Sequence, residues 1–268
     1  MSHYSEPERE PHQAREVAES FGSDAHRYER ARPRYPQATV RRIVDASPGL
    51  DLVDVGCGTG IAARQFRAAG CRVLGVEPDE RMADLARQNG LEVEVTTFEN
   101  WDPAGRTFDM VIAAQAWHWV DPLAGAAKAA QALGQGGRFA AFWNAFRPPA
   151  LLGEAFADVY RHVQTGLPFN PWAQPALNGY QTMCDKAAGG LGQSGQFNEP
   201  ERWQFDWDRP YSRDEWLDLV PTFGGHSQIP PAELERLLAG IGEAIDVAGG
   251  SVAMGYTTVV ITATRRWP

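Results

Sequence analysis

From residue 50 to residue 147, short apolar runs alternate with stretches whose apolar residues recur every three or four positions. The runs DLVDVG (51–56), CRVLGVE (71–77), LEVEVTTF (91–98), FDMVIAAQ (108–115) and GRFAAFWN (137–144) have strand length and are rich in β-branched and aromatic residues. IAARQFRAAG (61–70) and ERMADLARQNG (80–90) predict helices closed by Gly70 and Gly90, and PLAGAAKAAQALG (122–134) predicts a third. Strand and helix in alternation make βαβ units, so the pattern predicts an α/β fold with a doubly wound, mostly parallel sheet. Ahead of it, Val40, Ile43 and Val44 share one face of a helix that Pro48-Gly49 ends. Residues 1–20 are polar and predict a poorly ordered tail.

The alternation stops at Pro148-Pro149. A helix is predicted around LLGEAFADVYRHVQ, followed by two loop-rich stretches, TGLPFNPWAQPALNGY and GGLGQSGQFNEPE. ERWQFDWD resumes as a strand, and SRDEWLDLV opens with a Ser-x-x-Glu capping box at Ser212 and Glu215. PPAELERLLAGIG places Leu234, Leu237, Leu238 and Ile241 on one helical face, and YTTVVITATRR ends the chain as a strand. The expected organisation is a tail (1–20), an N-terminal segment and core (21–149), a cap insertion (150–200), and the rest of the core (201–268) with a helical insertion at 211–247. At 268 residues, one domain with a cap suits the length.

Charge narrows the partners. A net charge of −9 argues against a nucleic-acid surface, which needs clustered Lys and Arg. No apolar run reaches the roughly 20 residues that span a bilayer, and the first residues are charged where a signal peptide is apolar. Cys57, Cys71 and Cys184 are odd in number with no CxxC spacing, so neither a disulfide framework nor a metal site is expected. These features read as a cytoplasmic protein that binds neither nucleic acid nor membrane; nothing in the sequence sets its oligomeric state.

Candidate chemistry begins at DVGCGTG, between the first strand and the first helix of the alternating region, where α/β sheets bind ligands. Gly56, Gly58 and Gly60 allow a sharp turn and close approach of the backbone to a ligand. The third glycine falls one residue early for the dinucleotide fingerprint G-x-G-x-x-G, and no tyrosine has lysine four residues on, so hydride transfer is disfavoured. A second unusual segment, AWHWVD, sets Trp117, His118 and Trp119 directly after the fourth strand.

Asp54, Gly56, Gly58 and Gly60 fill the fixed positions of D-x-G-x-G-x-G, and from about Phe21 to Arg266 the chain resembles the class I S-adenosylmethionine-dependent methyltransferases. The resemblance implies a Rossmann-like sheet of seven strands with the last one antiparallel. It further implies that the cofactor is S-adenosyl-L-methionine, held by the loop from Asp54 to Gly60 with Thr59, by Glu77 and Pro78 at the ribose, and by Thr97, Phe98 and Met82 around the adenine. Gln115, at the end of the fourth strand, joins that set. FGSDAHRYERARPRYP is similar to a small-molecule subgroup in which Tyr28 and Arg32 reach the methionine carboxylate; the alternative is a solvated basic segment. Trp117, Trp119, Trp143 and Asn144 would line the acceptor pocket, with Trp172 and Trp216 from the insertions. Aromatic faces hold a sulfonium cation without a fixed anion that resists its neutralisation. The competing reading makes Trp117 and Trp119 core residues. His118 is the candidate general base, the alternative being a neutral, hydrogen-bonded histidine. The expected partner is a small-molecule methyl acceptor; RNA or protein methylation, and a non-catalytic cofactor-binding protein, stand as alternatives. Both insertions are expected to roof the carboxyl ends of the strands.

Overall fold

The computed structural model describes residues 10–13, 15–173 and 176–266. In chain order the helices and strands are α1 (Arg15–Ser20), α2 (Ala25–Ala31), α3 (Gln37–Asp45), β1 (Asp51–Val55), α4 (Ile61–Ala68), β2 (Arg72–Glu77), α5 (Glu80–Gln88), β3 (Glu92–Val95), β4 (Phe108–Ala114), α6 (Pro122–Ala132), β5 (Leu133–Arg147), α7 (Ala150–His162), α8 (Ala176–Ser194), β6 (Glu201–Ser212), α9 (Arg213–Leu219), α10 (Pro231–Val247) and β7 (Ser251–Thr264). The strands form one sheet in the order β3-β2-β1-β4-β5-β7-β6. β1 to β5 run parallel, and β7 lies antiparallel between β5 and β6. This is the expected Rossmann-like α/β sheet with its last strand reversed.

Strand order reverses at β1, which has β2 on one side and β4 on the other. There the loops after β1 and β4 diverge to opposite faces and leave a crevice. The parallel strands are apolar on both faces because helices cover both: Val53, Val55, Val111 and Ala113 face one core, and Leu52, Met110 and Ile112 the other. Ile43 and Phe66 from α3 and α4 pack on the second.

Several elements depart from the sequence expectation. β3 stops at Val95, so Thr97 and Phe98 sit in the turn that follows. Much of the stretch read as loop is helix α8, and one of its glycines has a packing reason: a Cβ at Gly190 would lie 2.3 Å from the Pro122 carbonyl oxygen. α8 therefore presses against α6 on the face of the sheet. The roof over the strand ends is built by α7, α9 and α10 with the long ends of β5, β6 and β7, around Phe146, Phe156, Trp216 and Tyr256. Of the expected tail, Pro11–Gln13 and Arg15–Ser20 are helical turns, and residues 1–9 and 14 lie outside the described residues.

Candidate functional site

Gly56, Gly58 and Gly60 have φ of 61°, 56° and 86°, a left-handed sequence that other residues adopt only with strain. The loop they form carries Thr59 across the end of β1. Glu77, at the end of β2, is only 7% exposed and accepts the Gly58 N–H at 2.8 Å on Oε2 and the Asp79 N–H at 3.0 Å on Oε1. Burial raises its pKa to about 7 against the lowering effect of those two amides. Pro78, half-buried, leads from Glu77 to Asp79, which caps α5 by accepting the Arg81 N–H. Asp54 is fully buried and neither carboxyl oxygen has a hydrogen-bond partner. Desolvation first, then the charge of Glu77, push its pKa to about 8; the one opposing influence is the nearby Ala63 amide, which falls short of hydrogen-bond geometry.

The N-terminal arm closes over this loop. Tyr28 and Arg32 line the same cleft as Gly56, Gly58, Thr59, Gln115 and Asn144. Arg32 stacks on the Tyr28 ring at 4.9 Å and donates to the Thr222 hydroxyl at 3.0 Å and the Thr222 carbonyl, so the basic segment is an ordered arm docked on the cap. Met82 on α5 is buried with Ala25 beneath Phe21 and Tyr28, and its Cε lies 3.7 Å from a Cβ built on Gly58. Glu29 was not anticipated from the sequence: it accepts the Thr59 hydroxyl at 2.6 Å and pairs with Arg64, which also donates to the Thr59 carbonyl at 2.9 Å. These contacts latch α2 to the glycine loop. The cleft beneath is narrow, about 40 Å³, and adjoins a cavity of about 350 Å³ between the arm and β6.

Gln115 is one of two non-glycine residues with positive φ (57°) among the described residues; its N–H donates to the Phe142 carbonyl at 2.8 Å. Such strain marks a place where the chain is forced out of the strand path toward the crevice. The aromatic segment after it divides. Trp117 is 2% exposed and packs edge-on against Phe139 at 4.5 Å, so it is a core residue rather than a pocket wall. Trp143 is fully buried in that same core. Trp119 is half-buried and meets Phe21 of the arm at 6.2 Å. Phe98 is buried and stacked on Trp101 at 5.9 Å, leaving only the turn at half-buried Thr97 near the surface. Trp216 is wholly buried and half-buried Trp172 packs beside it at 6.0 Å, both within the cap's own core and away from the cleft.

The geometry opposes a general-base role for His118. Its Nδ1 accepts the Trp143 indole N–H at 3.2 Å, which places the ring hydrogen on Nε2, a donor. Burial lowers the imidazole pKa to about 4, so it is neutral near pH 7 and has little basicity. Asn144 is also engaged, accepting the Thr258 hydroxyl at 2.6 Å and donating to the Arg34 carbonyl at 3.4 Å while it lines the cleft.

A glycine loop at the switch point, a buried acid bonded to it from the next strand and an N-terminal arm latched over it are thus brought together at the carboxyl ends of the central strands. The chain belongs to the methyltransferase domain family, which matches residues 28–177. Among curated proteins it is 35% identical over 133 residues to an uncharacterized methyltransferase of Mycobacterium tuberculosis, a match covering 48% of this chain and 54% of that protein. The match thus spans about half the relative's length. It is also 34% identical over 91 residues to a ubiquinone biosynthesis O-methyltransferase of Methylocella silvestris, covering 32% of this chain and 36% of that protein. Among solved structures, a protein assigned as a type II methyltransferase from Anaeromyxobacter dehalogenans aligns at TM-score 0.62 and 25% identity, over 88% of this chain and 97% of that one. The [4+2]-cyclase SpnF shares the fold at TM-score 0.54 and 14% identity, over 98% and 99%.

Proposed function

We propose that this methyltransferase uses S-adenosyl-L-methionine to methylate a small-molecule acceptor. The observation that carries the reading is the junction of Glu77 with the Gly58 amide at the β1–β4 switch point, beneath the arm bearing Tyr28 and Arg32. The cofactor, when bound, supplies a methyl group on a sulfonium for in-line displacement by the acceptor. Glu77, once ionised, accepts from both ribose hydroxyls, a task suited to a pair of charged carboxylate oxygens. Asp54 lies buried at the end of β1 ahead of the loop, and Met82 and the Thr97 turn flank the adenine. Arg32, whose Nε–Nη2 edge is held by Thr222, offers its remaining N–H groups to the cofactor's carboxylate. Tyr28 and Trp119 supply aromatic faces, and the arm, with the α7, α9 and α10 roof, excludes water around the reacting atoms. His118 serves as a wall residue with a donor at Nε2.

A small acceptor is supported by the acidic balance of the chain and by the local likeness to ubiquinone biosynthesis O-methyltransferases. The same balance, with three buried unpaired cysteines, suits a reducing, cytoplasmic setting without nucleic-acid or membrane partners. The test has two parts. Calorimetric titration with S-adenosylhomocysteine should give binding that Glu77→Ala weakens by one to two decades, since hydrogen bonds to charged groups are worth roughly 1.5–3 kcal/mol. Methyl-labelled cofactor incubated with a metabolite extract should then yield a labelled small molecule. Cofactor binding with label found only in protein or RNA would refute the acceptor class.

A further inference from the structure

The cavity beside the glycine-loop cleft has a charge character that the chain as a whole does not. The protein carries a net charge of −9, yet the cavity's charged lining is Arg30, Arg32, Arg34 and Arg209 against one carboxylate, Glu29. Most of these are spoken for. Arg30 forms a two-point pair with Asp218 at 2.8 and 2.9 Å, Arg32 is tied to Thr222, and Glu29 is neutralised by Arg64. Arg34 and Arg209 have no ion-pair partner among the described residues; Arg209 lies over the Tyr211 ring at 4.4 Å. Exposed Arg34 and half-buried Arg209 thus turn two guanidinium groups without an ion-pair partner toward one cavity of a negative protein, an arrangement suited to an anion from outside the chain.

Their supports are rigid. Arg34 sits between Pro33 and Tyr35, and its carbonyl accepts the Asn144 amide at 3.4 Å. Arg209 is registered against Met254 in the β6–β7 ladder. Between them Trp207 forms a fixed wall, stacked on Tyr256 at 4.4 Å with its indole N–H donated to Thr258 at 2.9 Å. The cavity shares Arg32, Tyr35 and Ile61 with the glycine-loop cleft, so a molecule seated there lies beside the cofactor site and not in it.

Resting on the methyltransferase reading above, we propose that this cavity binds an anionic methyl acceptor, its carboxylate or phosphate held by Arg34 and Arg209 and its body against Trp207. Planar guanidinium forks match both anions, and a neutral alcohol or amine would leave them unsatisfied.

Calorimetry on the full chain, in low-salt buffer free of phosphate, decides this with benzoate, phenyl phosphate and the neutral isostere benzamide, each titrated with and without S-adenosylhomocysteine. Benzoate or phenyl phosphate should bind at least tenfold more tightly than benzamide, and the stronger of the two identifies the anion. Arg34→Gln and Arg209→Gln should each weaken that anion roughly ten- to a hundredfold and leave S-adenosylhomocysteine affinity unchanged. Equal binding of the three probes, or an anion affinity unmoved in both variants, would overturn the proposal. So would a parallel loss of S-adenosylhomocysteine affinity, which would assign both arginines to the cofactor's own carboxylate. If the unaltered chain bound no S-adenosylhomocysteine, the methyltransferase reading would fall and the word acceptor with it, while the titrations without cofactor would still decide the anion site.

Discussion

Three residues carry the electrostatics of the site, and each has an environment opposed to its charged form. His118 gives up Nδ1 to Trp143 and is held neutral, with its pKa near 4. The rate of methyl transfer should therefore show no inflection from this group between pH 6 and 8. His118→Ala should cost less than about tenfold in kcat, whereas loss of a working base costs about 10²–10⁴, and a fall of that size would restore the base role. Asp54 moves the other way. Its folded pKa near 8 lies above its ordinary 3.8, so the native state holds a proton that the unfolded chain has already released. The stability this represents is present below pH 4 and is lost as pH rises toward 8. Glu77, near 7, acts in the same direction. His118 and buried His226, each with its pKa lowered to about 4, oppose both acids, mainly below their ordinary 6.5. From pH 6.5 to 8 the acids dominate, and denaturant titration of the cofactor-free protein should show stability falling by about 2 kcal/mol. Asp54→Asn should flatten most of that decline; an equally steep decline in the variant would place the titrating group elsewhere.

At the level of elements, what could be read from the sequence was what has a period. Strands β1, β2 and β4 and helices α4, α5 and α6 follow apolar spacing, and DVGCGTG falls between β1 and α4 as expected. α8 was missed because its glycines resemble loop punctuation, and the reason that Gly190 is small lies in α6, more than fifty positions earlier in the chain. Adjacent glycines separate the two explanations. Gly190→Ala would drive a Cβ into the Pro122 backbone and should destabilise by about 1–3 kcal/mol. A Cβ at Gly189 meets only the Gln193 side chain at 3.9 Å, so Gly189→Ala should be neutral or stabilise by up to about 1 kcal/mol through helix propensity. Equal effects in thermal unfolding would mean that α8 does not rest on α6. The latch of Glu29 on Thr59 and Arg64 was equally illegible, since nothing in α2 alone announces a partner thirty residues on.

The whole molecule joins a sheet and cap helices that were legible to a packing between them that was not. Loop and arm line one cleft and the acid Glu77 is bonded to the loop's Gly58 amide, while Trp117, Trp143 and Trp216 turn inward, because an aromatic run marks burial without saying whether core or ligand does the burying. The cavity lined by Arg34 and Arg209 brings together residues from opposite ends of the chain and has no local signature. On the cofactor reading proposed above, a cleft of about 40 Å³ predicts that α2 shifts to admit a nucleoside and then re-forms its contacts. Hydrogen exchange with and without S-adenosylhomocysteine tests this most directly. Protection should rise in residues 21–35, 54–60 and 77–82 and at Gln115, with little change in α7 and α10. No added protection in the arm and glycine loop, or protection confined to the cap, would contradict the account.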